Sequence, residues 1–87
     1  MTRSAFTSDY DRFRQLLVDA RREASLTQTE VAGQLDRPQS FVSKYERGER
    51  RLDLVEFLQV AEVLGIDVSA FIRRLQERMP EEGRNGG

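Results

Sequence analysis

The sequence predicts an all-α fold of five short helices, and three observations lead to that prediction. Apolar residues recur at spacings of three and four, the period of an amphipathic helix. No stretch shows the convincing apolar–polar alternation of a half-buried strand. Capping residues, glycines and prolines divide the chain into five segments of helical length. The 87 residues suffice for one small domain and exclude a second independent core.

The first helix is predicted to begin near Ser8 or Asp9, which makes residues 1–8 a flexible N-terminal arm. Its apolar side chains, spaced by four and three, are Phe13, Leu17 and Ala20. The folded domain is predicted to span residues 9–79. Residues 80–87 have almost no apolar content and are predicted to form a disordered tail.

Local signals mark the second and third helices. Thr27 and Glu30 have the capping-box spacing, in which each side chain satisfies a backbone N–H at the start of the second helix. Asp36 stands where the chain must turn sharply, and aspartate tolerates the left-handed conformation better than most residues. The third helix is predicted to begin at or just after Pro38 and to end at Gly48.

Similar signals mark the last two helices. Asp53 is a good N-cap for the fourth helix, which is predicted to end at Gly65. The fifth is predicted to begin around Asp67 and to be closed by Pro80.

The composition excludes several classes of function. Cysteine and histidine are both absent, which removes disulfides, the usual zinc ligand sets and imidazole acid–base catalysis. Two pairs of neighbouring carboxylates, Asp9 with Asp11 and Glu81 with Glu82, are better explained by helix capping and tail solubility than by a metal or acid–base site. We therefore predict no enzymatic activity, no metal and no cofactor.

The apolar runs of the chain are short. None approaches the roughly 20 residues that a membrane-spanning helix requires, and the N-terminus lacks the apolar block of a secretory signal. A cytoplasmic protein that does not bind membranes is the expectation.

The second and third helices have the spacing of a helix-turn-helix. About three residues join residues 27–35 to residues 39–47, and in this arrangement the second helix protrudes and can enter the major groove of DNA. On a helical wheel of this second helix, Ser40, Lys44 and Arg47 point outward together. A solvated surface would give the same wheel, so the wheel alone does not decide between the two.

The chemistry of this face suits base readout. Gln39 lies in the first turn, where side chains reach furthest toward base edges, and Ser43 lies on the flank. Glutamine pairs with adenine through two hydrogen bonds, lysine donates to guanine, and serine can donate or accept.

The charge distribution favours DNA over a solvated face. Residues 37–51 contain five cations and two anions, a local balance of +3, although the whole chain carries -1. In residues 52–72 the four charged side chains are all acidic. The near-neutral total therefore conceals a basic patch around the protruding helix, which is what the neutralisation of phosphates requires.

These motifs resemble the Cro/repressor-type helix-turn-helix family, often called the XRE family. The resemblance rests on LTQTEVA at residues 26–32, QSFVSKYERG at 39–48 and LGI at 64–66, and it covers roughly residues 13–72. It implies a five-helix, repressor-like DNA-binding domain.

The resemblance also implies roles for single residues. Gln28 would hold a phosphate and brace Gln39. The implied base readers are Gln39, Ser40 and Lys44, with Ser43 and Phe41 at the margin. The implied phosphate contacts are Thr27, Gln28, Arg47 and Arg51. Arg21 is expected to pair with Glu46, so that an acidic residue beside DNA is neutralised internally.

The chain departs from the family pattern at three positions. Asp36 replaces the usual glycine of the turn, and Pro38 replaces a small polar residue, which removes a backbone N–H and a hydroxyl. Phe41 replaces a commonly small residue. It would either contact a thymine methyl or pack against Leu35 or Tyr45.

A homodimer is expected, because one helix-turn-helix module has a small DNA interface and two modules double it. Two recognition helices about 34 Å apart would then read a pseudo-palindromic site. The fourth and fifth helices carry more apolar residues than one small core needs, and core packing is the alternative explanation for each. The candidates are Val60, Val63, Ile72, Leu75 and Met79, of which the last four are the predicted interface.

Two functions remain open at this point. The first is a sequence-specific transcriptional regulator, most simply a repressor that covers a promoter. The alternative is an antitoxin or accessory protein, whose fifth helix and tail bind a partner and whose DNA binding serves autoregulation.

Overall fold

The computed structural model describes residues 2–77, with side chains from residue 9 onward. This part of the chain forms five α-helices and contains no strand. They are α1 (Thr2–Glu23), α2 (Gln28–Leu35), α3 (Gln39–Arg47), α4 (Leu54–Leu64) and α5 (Val68–Glu77). The predicted all-α, five-helix architecture is confirmed.

Two capping boxes start helices α2 and α4. Thr27 Oγ1 accepts a hydrogen bond from the Glu30 N–H at 3.0 Å, and Glu30 Oε1 accepts one from the Thr27 N–H at 2.8 Å. Asp53 and Glu56 make the same exchange at 2.8 and 3.0 Å. Because each box satisfies two N–H groups that a helix start otherwise leaves unpaired, both starts lie where the sequence predicts them.

The turn between α2 and α3 is set by Asp36 and Pro38. Asp36 has the left-handed conformation, with φ 61° and ψ 43°. Pro38 occupies the N-cap position of α3 with φ -65° and contributes no side-chain cap. Proline has no hydroxyl that could accept a capping hydrogen bond, but its ring fixes φ at a value that suits the start of a helix. The start of α3 therefore depends on this fixed φ and not on a capping hydrogen bond.

Helix α1 begins earlier than its sequence signals indicate. Its backbone is helical from Thr2, whereas the predicted start was near Ser8 or Asp9, so the segment predicted as an arm continues the helix. The physical reason is that no proline or glycine interrupts this segment, and a helix continues through residues without apolar periodicity when nothing breaks it. The predicted tail, residues 80–87, and Met79 lie outside the described residues.

The helix-turn-helix is packed on an aromatic cluster. The rings of Phe13, Phe57 and Phe71 connect α1, α4 and α5, with centroids 5.2 to 5.9 Å apart. Two further apolar residues, Val42 and Val60, are completely buried. Val60 is therefore a core residue, and of the two explanations considered for it the structure favours core packing.

Gly48, which ends α3, gives a direct test of this backbone. It has φ 82°, and a Cβ there would lie 3.3 Å from Arg14 Nε. We expect Gly48→Ala to lower the free energy of unfolding by about 1–2 kcal/mol, because an L-residue is strained at this φ.

Gly33→Ala is the matched control for this substitution. Gly33 lies inside α2, and no atom lies within 4 Å of its added Cβ, so alanine should raise stability by up to about 1 kcal/mol. Urea unfolding measures both variants. If the two variants had the same free energy of unfolding, the left-handed conformation of Gly48 would be contradicted.

Candidate nucleic-acid interface

Helix α3 exposes one polar face. Gln39, Ser40, Lys44 and Arg47 are exposed, and Ser43 is half-buried. The opposite face of α3 is inside the domain, where Val42, Tyr45 and Glu46 are buried. The outward face that the helical wheel predicts is therefore accessible. It carries the predicted base readers and, at its C-terminal end, the predicted phosphate contact Arg47.

Glu46 is a charged residue in the interior, with 6% of its surface exposed. Arg21 reaches it from α1 with two hydrogen bonds, Nε to Oε2 at 2.7 Å and Nη2 to Oε1 at 3.1 Å. A third bond runs from Arg21 Nη1 to the carbonyl of Leu26 at 3.0 Å. Hydrogen bonding to Glu46 raises the pKa of Arg21. The ion pair implied by the family resemblance is present, and it fixes α3 against α1.

A chain of hydrogen bonds runs from Glu46 to the exposed face of α3. Gln28 Nε2 donates to Glu46 Oε1 at 2.8 Å, and Gln39 Nε2 donates to Gln28 Oε1 at 2.8 Å. A carboxylate can only accept, so the Gln28 amide must turn its NH₂ toward Glu46 and its oxygen toward Gln39. The buried charge thereby fixes which way the Gln39 amide points.

Phe41 supports the fold and does not face outward. Its side chain is 8% exposed, and its ring makes an edge contact with Tyr45 at 5.5 Å between centroids. The guanidinium groups of Arg37 and Arg50 lie over the ring at 4.4 and 4.8 Å. Of the two roles considered for Phe41, the structure favours packing over contact with a thymine methyl.

Arg37 and Arg50 were not predicted to have individual roles, yet Glu56 of α4 holds both beside α3. Arg50 donates two hydrogen bonds to the Glu56 carboxylate, at 2.9 and 2.8 Å, and Arg37 approaches it to 3.7 Å. The hydrogen bonds from Arg50 lower the pKa of Glu56 to about 2. The sequence shows these arginines only as part of the local positive charge, because the contacts depend on the tertiary fold.

The two predicted phosphate-binding arginines, one at the end of α3 and one after it, have different surroundings. Arg47 makes two hydrogen bonds to the exposed Glu49, at 2.9 and 3.1 Å. These bonds lower the pKa of Glu49. The Arg51 guanidinium lies over the ring of Tyr10 at 4.2 Å. To reach a phosphate, Arg47 must therefore break its hydrogen bonds to the carboxylate of Glu49.

Comparison with known proteins agrees with this geometry. A profile of the helix-turn-helix family matches residues 17–71, which contain α2, α3 and α4. The chain belongs to the XRE-type helix-turn-helix family. It is similar to the solved structure of an XRE-family like protein from Pseudomonas syringae pv. tomato str. DC3000, with a TM-score of 0.84 and 42% identity over 91% of this chain and 96% of that one. No curated protein matches it. XRE-type proteins are DNA-binding transcription regulators and are not typically enzymes.

The proposed DNA interface of this XRE-type domain leads to a prediction: Glu49 should weaken the binding of DNA. We expect Glu49→Gln to tighten binding to any duplex a few-fold, because it releases Arg47 from an exposed ion pair and removes a negative charge near phosphate.

Glu77→Gln in α5 is the control, because it removes the same charge far along the chain from α3. Fluorescence anisotropy on a labelled duplex measures both variants. Weaker binding by Glu49→Gln than by the wild-type protein would show that Arg47 does not contact the phosphates.

Of the four residues predicted to form the dimer interface, the three that the structure describes do not form one exposed patch. Val63 and Leu75 are half-buried and pack against the core. Ile72 is 40% exposed on α5. Among the described residues, the most exposed large apolar side chains lie instead on α4. Their exposure was not predictable from sequence, because an apolar stripe does not reveal how much of it the core covers.

Two further features of residues 2–77 bear on this XRE-type domain. None of their helices combines the length and apolar character of a membrane span. Acidic side chains in this part of the chain do not gather into a group of three that could hold a metal ion.

Proposed function

We propose that the chain is a sequence-specific repressor, which binds a pseudo-palindromic operator in the cytoplasm as a homodimer and covers a promoter. The observation that carries the proposal is the hydrogen-bond chain from buried Glu46 through Gln28 to Gln39. A solvated surface does not require an oriented amide, whereas pairing with adenine does.

Phosphate contacts would flank the base readers on both sides of α3. Thr27 and Gln28 lie at the start of α2, whereas Arg47 ends α3 and Arg51 follows it. Arg37 and Arg50 add positive charge beside α3, where they lie over the ring of Phe41. Contacts of this kind fix the position of the protein on the duplex and do not distinguish sequences.

The decisive experiment is the selection of bound duplexes from a random pool. A homodimer should enrich two inverted half-sites with centres about 10 base pairs apart. Enrichment of one isolated half-site would contradict the dimer, and the absence of any enriched sequence would contradict specific binding.

The phosphate contacts can be measured separately with a salt series. The logarithm of the binding constant should fall linearly with the logarithm of the salt concentration, with a slope of about -0.9 per phosphate contacted. A slope near zero would exclude the proposed arginine contacts.

A further inference from the structure

Tyr10 of α1 contacts the loop that joins α3 to α4. Its hydroxyl oxygen accepts a hydrogen bond from the backbone N–H of Leu52 at 3.2 Å. The guanidinium of Arg51 lies over its ring at 4.2 Å. Tyr10 precedes residues 17–71, the part of the chain that the family profile matches, so membership of the family assigns this residue no role.

The peptide group between Arg51 and Leu52 is held at both ends. Its N–H donates to Tyr10, and its carbonyl oxygen accepts a hydrogen bond from Arg50 Nη1 at 3.0 Å. Residues 51–53 belong to no helix, so these side chains satisfy backbone groups that a helix would otherwise pair. Because the peptide group is planar and bonded at both ends, the direction in which the Arg51 side chain leaves the loop is fixed.

Contacts with the core and with α3 fix this part of α1. The ring of Tyr10 lies 5.4 Å from the ring of Phe13, which belongs to the aromatic cluster of α1, α4 and α5. One turn further along α1, Arg14 Nη1 donates to the carbonyl of Glu46 at 2.6 Å. The same face of α1 therefore holds both the C-terminal end of α3 and the loop that follows it.

We propose that Tyr10 is a positioning residue, which holds Arg51 for contact with a DNA phosphate. The inference rests on the DNA binding proposed above, in which Arg51 is a phosphate contact. An arginine side chain has many rotamers, and contact with the ring restricts them before DNA binds. The less a side chain has to be ordered on binding, the tighter the complex is.

The ring suits this role better than a carboxylate would. An aromatic face attracts a guanidinium without carrying a net negative charge, so it does not repel a phosphate that approaches Arg51. Arg47 shows the contrast, because it is bonded to the carboxylate of Glu49. Of the two arginines, Arg51 is therefore the one whose partner on α1 is compatible with a bound phosphate.

The first test compares the affinities of variants for a labelled duplex of the selected sequence, by fluorescence anisotropy. Tyr10→Leu removes the ring and the hydroxyl and should weaken binding by about two- to five-fold. Tyr10→Phe keeps the ring and should retain most of the affinity. Gln15→Ala, at an exposed position on another face of α1, is the control and should leave binding unchanged. If Tyr10→Phe bound as weakly as Tyr10→Leu, the role of the ring would be overturned.

A double-variant cycle separates positioning from a merely structural effect. If Tyr10 acts through Arg51, Tyr10→Leu should cause little further loss of affinity in an Arg51→Ala background and its full loss in a Gln39→Ala background. A structural effect would lower the affinity by the same factor in both backgrounds. That result, or no loss of affinity from Tyr10→Leu alone, would overturn the proposal and leave the proposed function standing.

NMR spectroscopy tests the contact without DNA. The ring current of Tyr10 should shift the side-chain proton signals of Arg51, and the shift should be lost in Tyr10→Leu and kept in Tyr10→Phe. Absence of the shift from the wild-type protein would overturn the proposal. If Arg51→Ala left binding unchanged, both the phosphate contact of Arg51 and the role of Tyr10 would be overturned. Failure of the wild-type protein to bind any duplex would overturn the proposed function itself.

Discussion

Replacing Glu46 with alanine should destabilise the domain by about 3–5 kcal/mol, the largest effect we expect from one substitution. The change leaves the guanidinium of Arg21, whose side chain is 14% exposed, in the interior without its partner. It also removes the acceptor of Gln28. A charge that loses its counterion inside a protein retains the cost of desolvation, which the pair had offset.

The pair itself contributes much less than this loss suggests. The double variant Arg21→Met with Glu46→Leu removes both charges and replaces them with apolar side chains of similar size. It should be clearly more stable than Glu46→Ala, because no unpaired charge remains. Urea unfolding followed by circular dichroism measures the double variant and its two single variants, Arg21→Met and Glu46→Leu. If the double variant lost as much free energy of unfolding as the two single variants together, the two side chains would not interact.

The features of the fold that were predictable from sequence are those with local causes. Thr27 with Glu30 starts a helix through contacts within four residues, and Gly48 ends one because of its own backbone conformation. Each signal is complete within one turn of the chain. The predicted helix bounds between residue 27 and the start of α5 therefore lie close to the observed ones, whereas the predicted end of α5 at Pro80 lies outside the described residues.

The features that were missed depend on contacts between distant elements or on the extent of the core. Glu56 stands in the sequence only as one of four acidic residues, and the fold shows that it completes the α4 capping box and holds Arg37 and Arg50. The apolar residues of α4 have helical spacing, which does not reveal that Val60 is buried while Leu54 is exposed. The extension of α1 to Thr2 was missed because a helix start without a capping residue leaves no signal.

The Glu46 substitution also affects DNA recognition through the amide chain. With Glu46 absent, the Gln28 amide is no longer forced to turn its oxygen toward Gln39. Part of the base preference should therefore be lost even where the variant is still folded. This links the stability of the interior to the orientation of a side chain on the surface.

Gln39→Ala should reduce discrimination at one base pair of each half-site by about 1–3 kcal/mol. One N–H of Gln39 Nε2 is engaged by Gln28, which leaves the other N–H and the carbonyl oxygen to meet the N7 and N6 of an adenine. Without the amide, every base at that position should be accepted almost equally. Binding to duplexes with each of the four pairs at that position measures the effect.

Arg51→Ala separates base reading from phosphate contact, because it should weaken binding to all four duplexes equally and reduce the salt slope by about one. Gln34→Ala, which removes an exposed glutamine from α2, is the control for Gln39→Ala. It should change neither the discrimination among the four duplexes nor the salt slope. Equal losses on all four duplexes after Gln39→Ala would mean that this amide positions the protein instead of reading a base. The hydrogen-bond chain from Glu46 would then serve the fold alone, since an amide that contacts only phosphate does not need a fixed orientation.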